Sequence, residues 1–238
     1  MTETIDLMKK HVSVRSFTDQ KIPDQDLKAI LEAGQAASSW KNFQSYSIVK
    51  VQSDAQKQTI YAAQPQPWIL KCDTFLIFIG DLNRAEKATR LHAENFHADG
   101  ADNLLVTSVD AALAGQNVLL AAESMGYGGV FIGMIRQNAD EIAKILQLPD
   151  YTYPVFGIAL GVPKKLNEVK PRLPQEVLVF EEFYQEQDAQ VIKDFDQVMT
   201  DYAGDRQTEL WSERVAMQFG QPEHPMTAAF LKEQKLLK

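Results

Sequence analysis

Cysteine is nearly absent: Cys72 stands alone in 238 residues, so no internal disulfide can form. Its neighbours Ile69, Leu70, Phe75 and Leu76 mark it as a buried structural thiol and not a nucleophile. Histidine is scarce too. His92 and His97 stand five apart, a spacing that does not share a helix face, and His224 lies alone between Glu223 and Pro225. No His, Cys and carboxylate spacing resembles a metal site. Positive charge is the rarer sign, 24 Lys and Arg against 32 Asp and Glu, for a net charge of −8. That balance argues against nucleic acid or an anionic membrane surface as a general partner, and leaves any phosphate to a few local cations. Unbroken apolar runs such as Phe75–Ile79 are too short to span a bilayer. The opening MTETIDLMKK lacks the basic start and apolar core of a signal peptide, so a cytoplasmic location is expected. There is no Ser–His–acid order with a nucleophile elbow, and no pair of carboxylates stands out. The chain thus offers groups suited to holding a ligand and few suited to attacking one, so no catalytic side chain is nominated. That profile is expected where a cofactor carries the chemistry.

What is present reads as an ordinary globular chain, 45% hydrophobic and 24% charged. No linker, repeat or low-complexity segment divides it. One domain over 1–238 is expected, with residues from about 175 to 238 as a C-terminal extension wrapping the core or a partner subunit. Residues 46–51 alternate and are β-branched, and 74–80 and 153–162 are apolar throughout, so strands are expected at all three. Helices are expected at 4–10, with Ile5 and Met8 packing on one side, and at 24–36, capped by Asp24 and ended near Gly34. Further helices are expected at 54–63, 84–98 and 103–125. The last is apolar around most of its circumference, the mark of a buried central helix and of a candidate dimer-interface helix. Asn138 with Glu141 three residues on forms a capping-box pattern for a helix over 138–146. Helical pieces follow at about 188–203, 208–218 and 225–236.

Three stretches carry candidate chemistry. Residues 11–44 open on His11, Val12, Ser13, Val14 and Arg15 and close on Ser38, Ser39, Lys41, Asn42 and Gln44, with one helix between them. Hydroxyls, an imidazole and a guanidinium brought together suit an anionic or heteroaromatic ligand. Gly126, Gly128 and Gly129 precede a strand expected over 130–135, which includes Phe131, Ile132, Gly133 and Met134. Helix then strand is the reverse of a dinucleotide fingerprint, so a Rossmann site is disfavoured. In the loop 163–174, Lys170 and Arg172 straddle Pro171. In extended geometry residues two apart share a side, which makes the pair a phosphate clamp.

His11-x-Ser13-x-Arg15-x-Phe17, Ile22-Pro23, the helix Leu27–Ala33, Ala37-Ser38-Ser39 and Asn42-x-Gln44 together resemble the opening of the nitroreductase family of flavoproteins. The Lys170–Pro174 run and the helical tail are similar to its NADPH-type nitroreductase and flavin reductase branch. The resemblance implies an α+β fold, with a mostly antiparallel sheet of four or five strands packed by helices. It implies a homodimer with FMN at the subunit interface and NADPH or NADH as electron donor. By resemblance, His11, Val12, Ser13, Val14 and Arg15 lie near the ribityl phosphate, Ser39 and Gln66 hydrogen-bond the cofactor, and Phe131, Ile132, Gly133 and Met134 line the ring. Lys170, Pro171 and Arg172 hold the phosphate, Lys41 faces substrate, and Arg206 lies in the NADPH-binding loop. Met134 stands where close relatives often carry a glycine. The loop around Arg206 is poor in cations, which leaves NADPH or NADH open. The implied activity is two-electron, ping-pong reduction of nitroaromatic or quinone acceptors. The alternatives are supply of free reduced flavin and non-catalytic flavin binding.

Overall fold

The computed structural model describes residues 2–206, 209–220 and 228–238. They divide into two compact units, Met1–Asn167 with Pro225–Lys238, and Glu168–His224.

The first unit is built on a four-stranded sheet, β1 (Tyr46–Val51), β2 (Thr74–Asp81), β3 (Gly128–Ile132) and β4 (Thr152–Gly161), in the order β1-β2-β4-β3 with every pair antiparallel. The inner strands β2 and β4 are buried on both faces, which explains their unbroken apolar sequences. Side chains alternate across β2. Leu76 and Phe78 point into a core shared with α2 (Asp24–Gln35) and α6 (Ala101–Ser124). Phe75, Ile77 and Ile79 point into a second core shared with α3 (Asp54–Ala63), α4 (Pro67–Lys71) and α7 (Ala139–Ile145). The helices α1 (Glu3–Lys9) and α5 (Asn83–Arg90) complete the sequence up to β4. From the C-terminus, α11 (Ala228–Glu233) returns Phe230, Leu231 and Leu236 to the first core.

The second unit contains α8 (Gln175–Leu178), α9 (Ala189–Ala203) and α10 (Trp211–Phe219). Asp188 caps α9 by accepting from the Gln190 N–H at 2.8 Å. Buried Asp196 accepts from both Ser212 N–H and Ser212 Oγ–H, fastening α10 to α9, and Phe195 meets Trp211 edge-on at 5.3 Å.

Several local expectations are corrected. Ile5 and Met8 do not pack: both are exposed, and α1 buries no residue. Asp24 is the first helical residue of α2 and Pro23 occupies the cap. As expected, α2 ends near Gly34, at Gln35, with Gly34 buried in its last turn. A Cβ there would lie 2.5 Å from Val118 Cγ2, so glycine is what lets α2 approach α6. The helix expected over 84–98 stops at Arg90. Asn138 precedes α7, but its amide donates to Ala63 O at 2.7 Å instead of capping. The strand expected over 130–135 begins at Gly128 and ends at Ile132, where Gly133–Asn138 turns into 3-10 helix. By length and composition α6 is apolar enough to cross a membrane. One face packs against α2 and the sheet through small residues such as Ala111, Ala114 and Gly115, while Leu105, Val109 and Leu113 are exposed one turn apart. His224 and the expected start of the last helix lie outside the described residues.

Candidate functional site

The segment 11–18 is strapped across the ends of β3 and β4. The Val14 N–H donates to Gly129 O at 2.9 Å, and the Thr18 N–H to Val162 O at 2.8 Å. Val14 is buried and Val12 packs against the second core while half-buried; His11 and Ser13 are likewise half-buried and Arg15 is exposed. Gly128 makes this possible, since a Cβ there would lie 2.6 Å from Val14 Cγ2. His11 Nδ1 meets Glu123 Oε1 of α6 at 2.6 Å. The Arg15 guanidinium lies over the Trp68 ring, 5.6 Å from its centroid.

Gln66, just before α4, is buried and its amide donates to Met134 Sδ at 3.1 Å. On β3, Val130 and Ile132 enter the second core, whereas Phe131 points the other way, 4.9 Å from Phe156 and partly exposed. Gly133 and Met134 lie in the following turn, with Met134 exposed, and Arg136 Nη1 ties that turn to Val155 O at 2.7 Å. These contacts tie Arg15 to Trp68 and Gln66 to Met134, and chain continuity adds Phe131–Gly133 beside Met134. Trp68 contributes a buried indole N–H that has no acceptor among the described residues.

Ser39 and Lys41 belong to a second cluster in the same unit. Three residues of this loop adopt left-handed backbone: Lys41 (φ 49°), Asn42 (φ 58°) and Gln44 (φ 53°). Buried Asp110 of α6 accepts from the Trp40 N–H at 2.9 Å and from the Ser45 N–H at 3.0 Å. Arg84 donates to Gln44 O at 2.7 Å, and Ser39 Oγ accepts from the Gln44 N–H at 3.3 Å. The loop presents Trp40 and Phe43 to solvent, and Lys41 Nζ sits 4.6 Å from the Trp40 centroid. At the loop's end, burial pushes the Tyr46 phenol above its ordinary pKa; Asp110 adds to the rise and Arg84 offsets part of it.

Lys170, Pro171 and Arg172 lie in the second unit, in an irregular segment that exposes both cations. Arg172 Nη1 donates back to Lys170 O at 2.6 Å. Arg206 donates to Tyr202 O at 2.7 Å and stacks on the Tyr202 ring. Lys170, Tyr202, Arg206, Trp211 and Arg214 line a cleft of about 140 Å³ within that unit.

Sequence reasoning missed Trp68, Asp110 and Arg214. Trp68 stands two residues after the nominated Gln66 in a proline-punctuated stretch, which is a usable signal. Asp110 is one acid in a long apolar helix and Arg214 one cation in a short amphipathic one, so only tertiary placement distinguishes them. Chemically, the first cluster offers a cation, an unpaired N–H and an apolar edge, which suits a flat heteroaromatic ligand carrying an anionic tail. Among the described residues no group of three or more His, Cys, Asp or Glu could hold a metal.

The Nitroreductase family model matches residues 8–162, and that of the Nitroreductase family, C-terminal domain matches residues 170–238. An FMN reductase [NAD(P)H] of Bacillus subtilis is 36% identical over 243 residues, covering 98% of each chain. Among solved structures, nitroreductase A from Vibrio parahaemolyticus superposes with a TM-score of 0.94 at 36% identity, covering 100% of this chain and 99% of that one. The NADPH:FMN oxidoreductase from Vibrio harveyi, solved with NAD+, superposes with a TM-score of 0.92 at 35% identity, covering 100% of both.

Proposed function

The chain belongs to the nitroreductase family, and from that membership we propose an FMN-dependent NAD(P)H oxidoreductase that reduces nitroaromatic or quinone acceptors, two electrons at a time. The observation that carries this reading is the set of contacts tying Arg15 to Trp68 and Gln66 to Met134, with Phe131–Gly133 beside Met134 in the chain. It fits FMN on grounds of its own: a buried indole N–H awaits an acceptor, Arg15 supplies positive charge in an acidic chain, and Phe131 and Met134 offer an apolar edge. FMN, when bound, supplies the electron transfer. The protein's residues hold and orient it: His11, Ser13 and Arg15 toward the phosphate end with the Val12 and Val14 backbone, and Gln66 toward polar edges of the ring. Phe131, Gly133 and Met134 exclude water from one face, with Ile132 contributing backbone between them because its side chain is in the second core. Lys170 and Arg172, on either side of Pro171, add charge at the phosphate, and Ser39 a further hydrogen bond. Lys41 and Arg206 meet the substrates.

A homodimer is part of this proposal. The loop carrying Ser39 and Lys41 is anchored at Asp110 near the middle of α6 and His11 at Glu123 near its C-terminal end, so a second copy is proposed to bring both clusters to one ligand. The exposed Leu105, Val109 and Leu113 stripe supports the same pairing. We also propose that residues 1–238 work as one functional domain with the tail as its extension, in the cytoplasm.

The test is the absorbance spectrum of the purified protein. A flavin spectrum with about one acid-releasable FMN per chain is expected; a colourless protein that takes up no FMN rejects the reading. The names of the relatives favour a second reading for the acceptor, free flavin itself. Steady-state rates with nitrofurazone against free FMN decide between them.

A further inference from the structure

We infer that Asp110 is the positioning residue that holds the Ser39–Ser45 loop in a substrate-ready shape. The inference rests on the proposed reading of Lys41 as substrate-facing.

Left-handed backbone disfavours L side chains, and a run of Lys41, Asn42 and Gln44 in that region does not persist without outside restraint. Gln44 has only one local side-chain bond to ease it into this conformation, from its amide to Asn42 O at 3.1 Å. Beside the Arg84 and Ser39 bonds to Gln44, restraint comes from one carboxylate that reaches both ends of the run. Asp110 is 1% exposed, and its two oxygens accept separately from Trp40 N–H and Ser45 N–H, which bracket all three left-handed residues. A carboxylate can accept at both oxygens at once. An amide of the same shape presents a donor to one of these N–H groups and loses that bond. The base of the clamp is rigid, because α6 packs on α2 and the sheet on both sides of Asp110 through Thr107, Ala111 and Ala114. Asp110 touches no reacting group. It acts through the loop, by fixing where Ser39, Trp40 and Lys41 stand.

The test pairs Asp110→Asn with Gln44→Gly. Asp110→Asn should raise the acceptor KM about tenfold with little change in kcat, and should speed amide hydrogen exchange at Trp40 and Ser45 by at least tenfold. Glycine adopts left-handed backbone freely, so adding Gln44→Gly should recover most of the KM and slow the Trp40 exchange again. A residue that served only α6 packing would lower the thermal midpoint without this rescue. Unchanged exchange at Trp40 and Ser45 in Asp110→Asn overturns the inference, as does a loss that Gln44→Gly leaves untouched. Altered exchange with rescue but no effect on acceptor KM overturns the positioning role while leaving the clamp. If the wild-type protein binds no FMN, the functional reading fails on its own, and exchange still reports on the clamp.

Discussion

Asp110 and Glu123 stand thirteen residues apart on α6, which puts them about 20 Å apart along its axis and roughly 140° apart around it. Asp110 holds the Ser39–Ser45 loop, and Glu123 holds His11. One rigid rod therefore keeps the two candidate half-sites apart within a chain. In a twofold dimer, the loop of one copy and the strap of the other can meet.

Subunit complementation tests this arrangement. Arg15→Ala and Lys41→Glu should each be nearly inactive alone. Unfolded together and refolded, half of the dimers carry both variants, and each of these has one intact site, so about a quarter of wild-type activity should return. No recovery means that both residues serve the same chain's site. Full activity in Lys41→Glu alone means that Lys41 does not face substrate.

In the segment 163–174, Arg172→Ala should weaken FMN binding far more than Lys164→Ala. Each removes one positive charge. Only the first removes a direct charge-assisted contact in the proposed site, worth about 1.5 to 3 kcal/mol, or roughly ten- to hundredfold in Kd. Fluorescence titration of apoprotein with FMN provides the comparison. Equal dissociation constants show a general field and no clamp.

Steady-state kinetics should be ping-pong. The chain carries no dinucleotide fingerprint that would mark a separate nicotinamide site, so donor and acceptor take turns at the opening beside Phe131 and Met134. Double-reciprocal plots at several acceptor concentrations should be parallel. Intersecting lines with a detectable ternary complex require a second site.

Burial pushes the Cys72 thiol up to about 11, more than nearby Lys57 offsets. In the unfolded chain the thiol ionises near its ordinary value of 9.0. The folded state therefore keeps its proton between pH 9 and 11 while the unfolded state loses it. The stabilisation is complete below pH 9 and is lost as pH rises through 11, on the order of 2 kcal/mol. Iodoacetamide at pH 8.5 should leave the folded protein unmodified and alkylate it quickly in urea. Rapid alkylation without denaturant refutes the burial argument.

Gly34→Ala should destabilise the protein by about 1 to 3 kcal/mol, because the new methyl collides with Val118. The double variant with Val118→Ala should lose less than the sum of the single losses, measured by urea unfolding. Strict additivity shows that the helices do not meet at these residues.

Much of the architecture was legible in the sequence. The apolar runs at 74–80 and 153–162 can be little else than doubly covered strands, and the length and apolar content of α6 mark a central helix. The strap residues were legible because polar and β-branched side chains alternate there. What stayed hidden depends on partners distant in sequence. Nothing local reveals that Gly34 exists for Val118, or that Asp110 reaches two amides 70 and 65 positions away. Ile5 and Met8 keep helical spacing yet find no core, so amphipathic pattern alone does not say what lies opposite.

If the strap holds FMN as proposed, Gly128 is a position from which ligand grip can be altered without touching a ligand-facing atom. A side chain there displaces Val14, and Ser13 and Arg15 move with it, because they hang on either side of the same anchored residue. The missing Cβ is in effect a gauge block: it sets the standoff between strap and sheet, and through it the height of the polar row. Variation at this site would register as a change of affinity whose cause no inspection of the binding surface alone could locate.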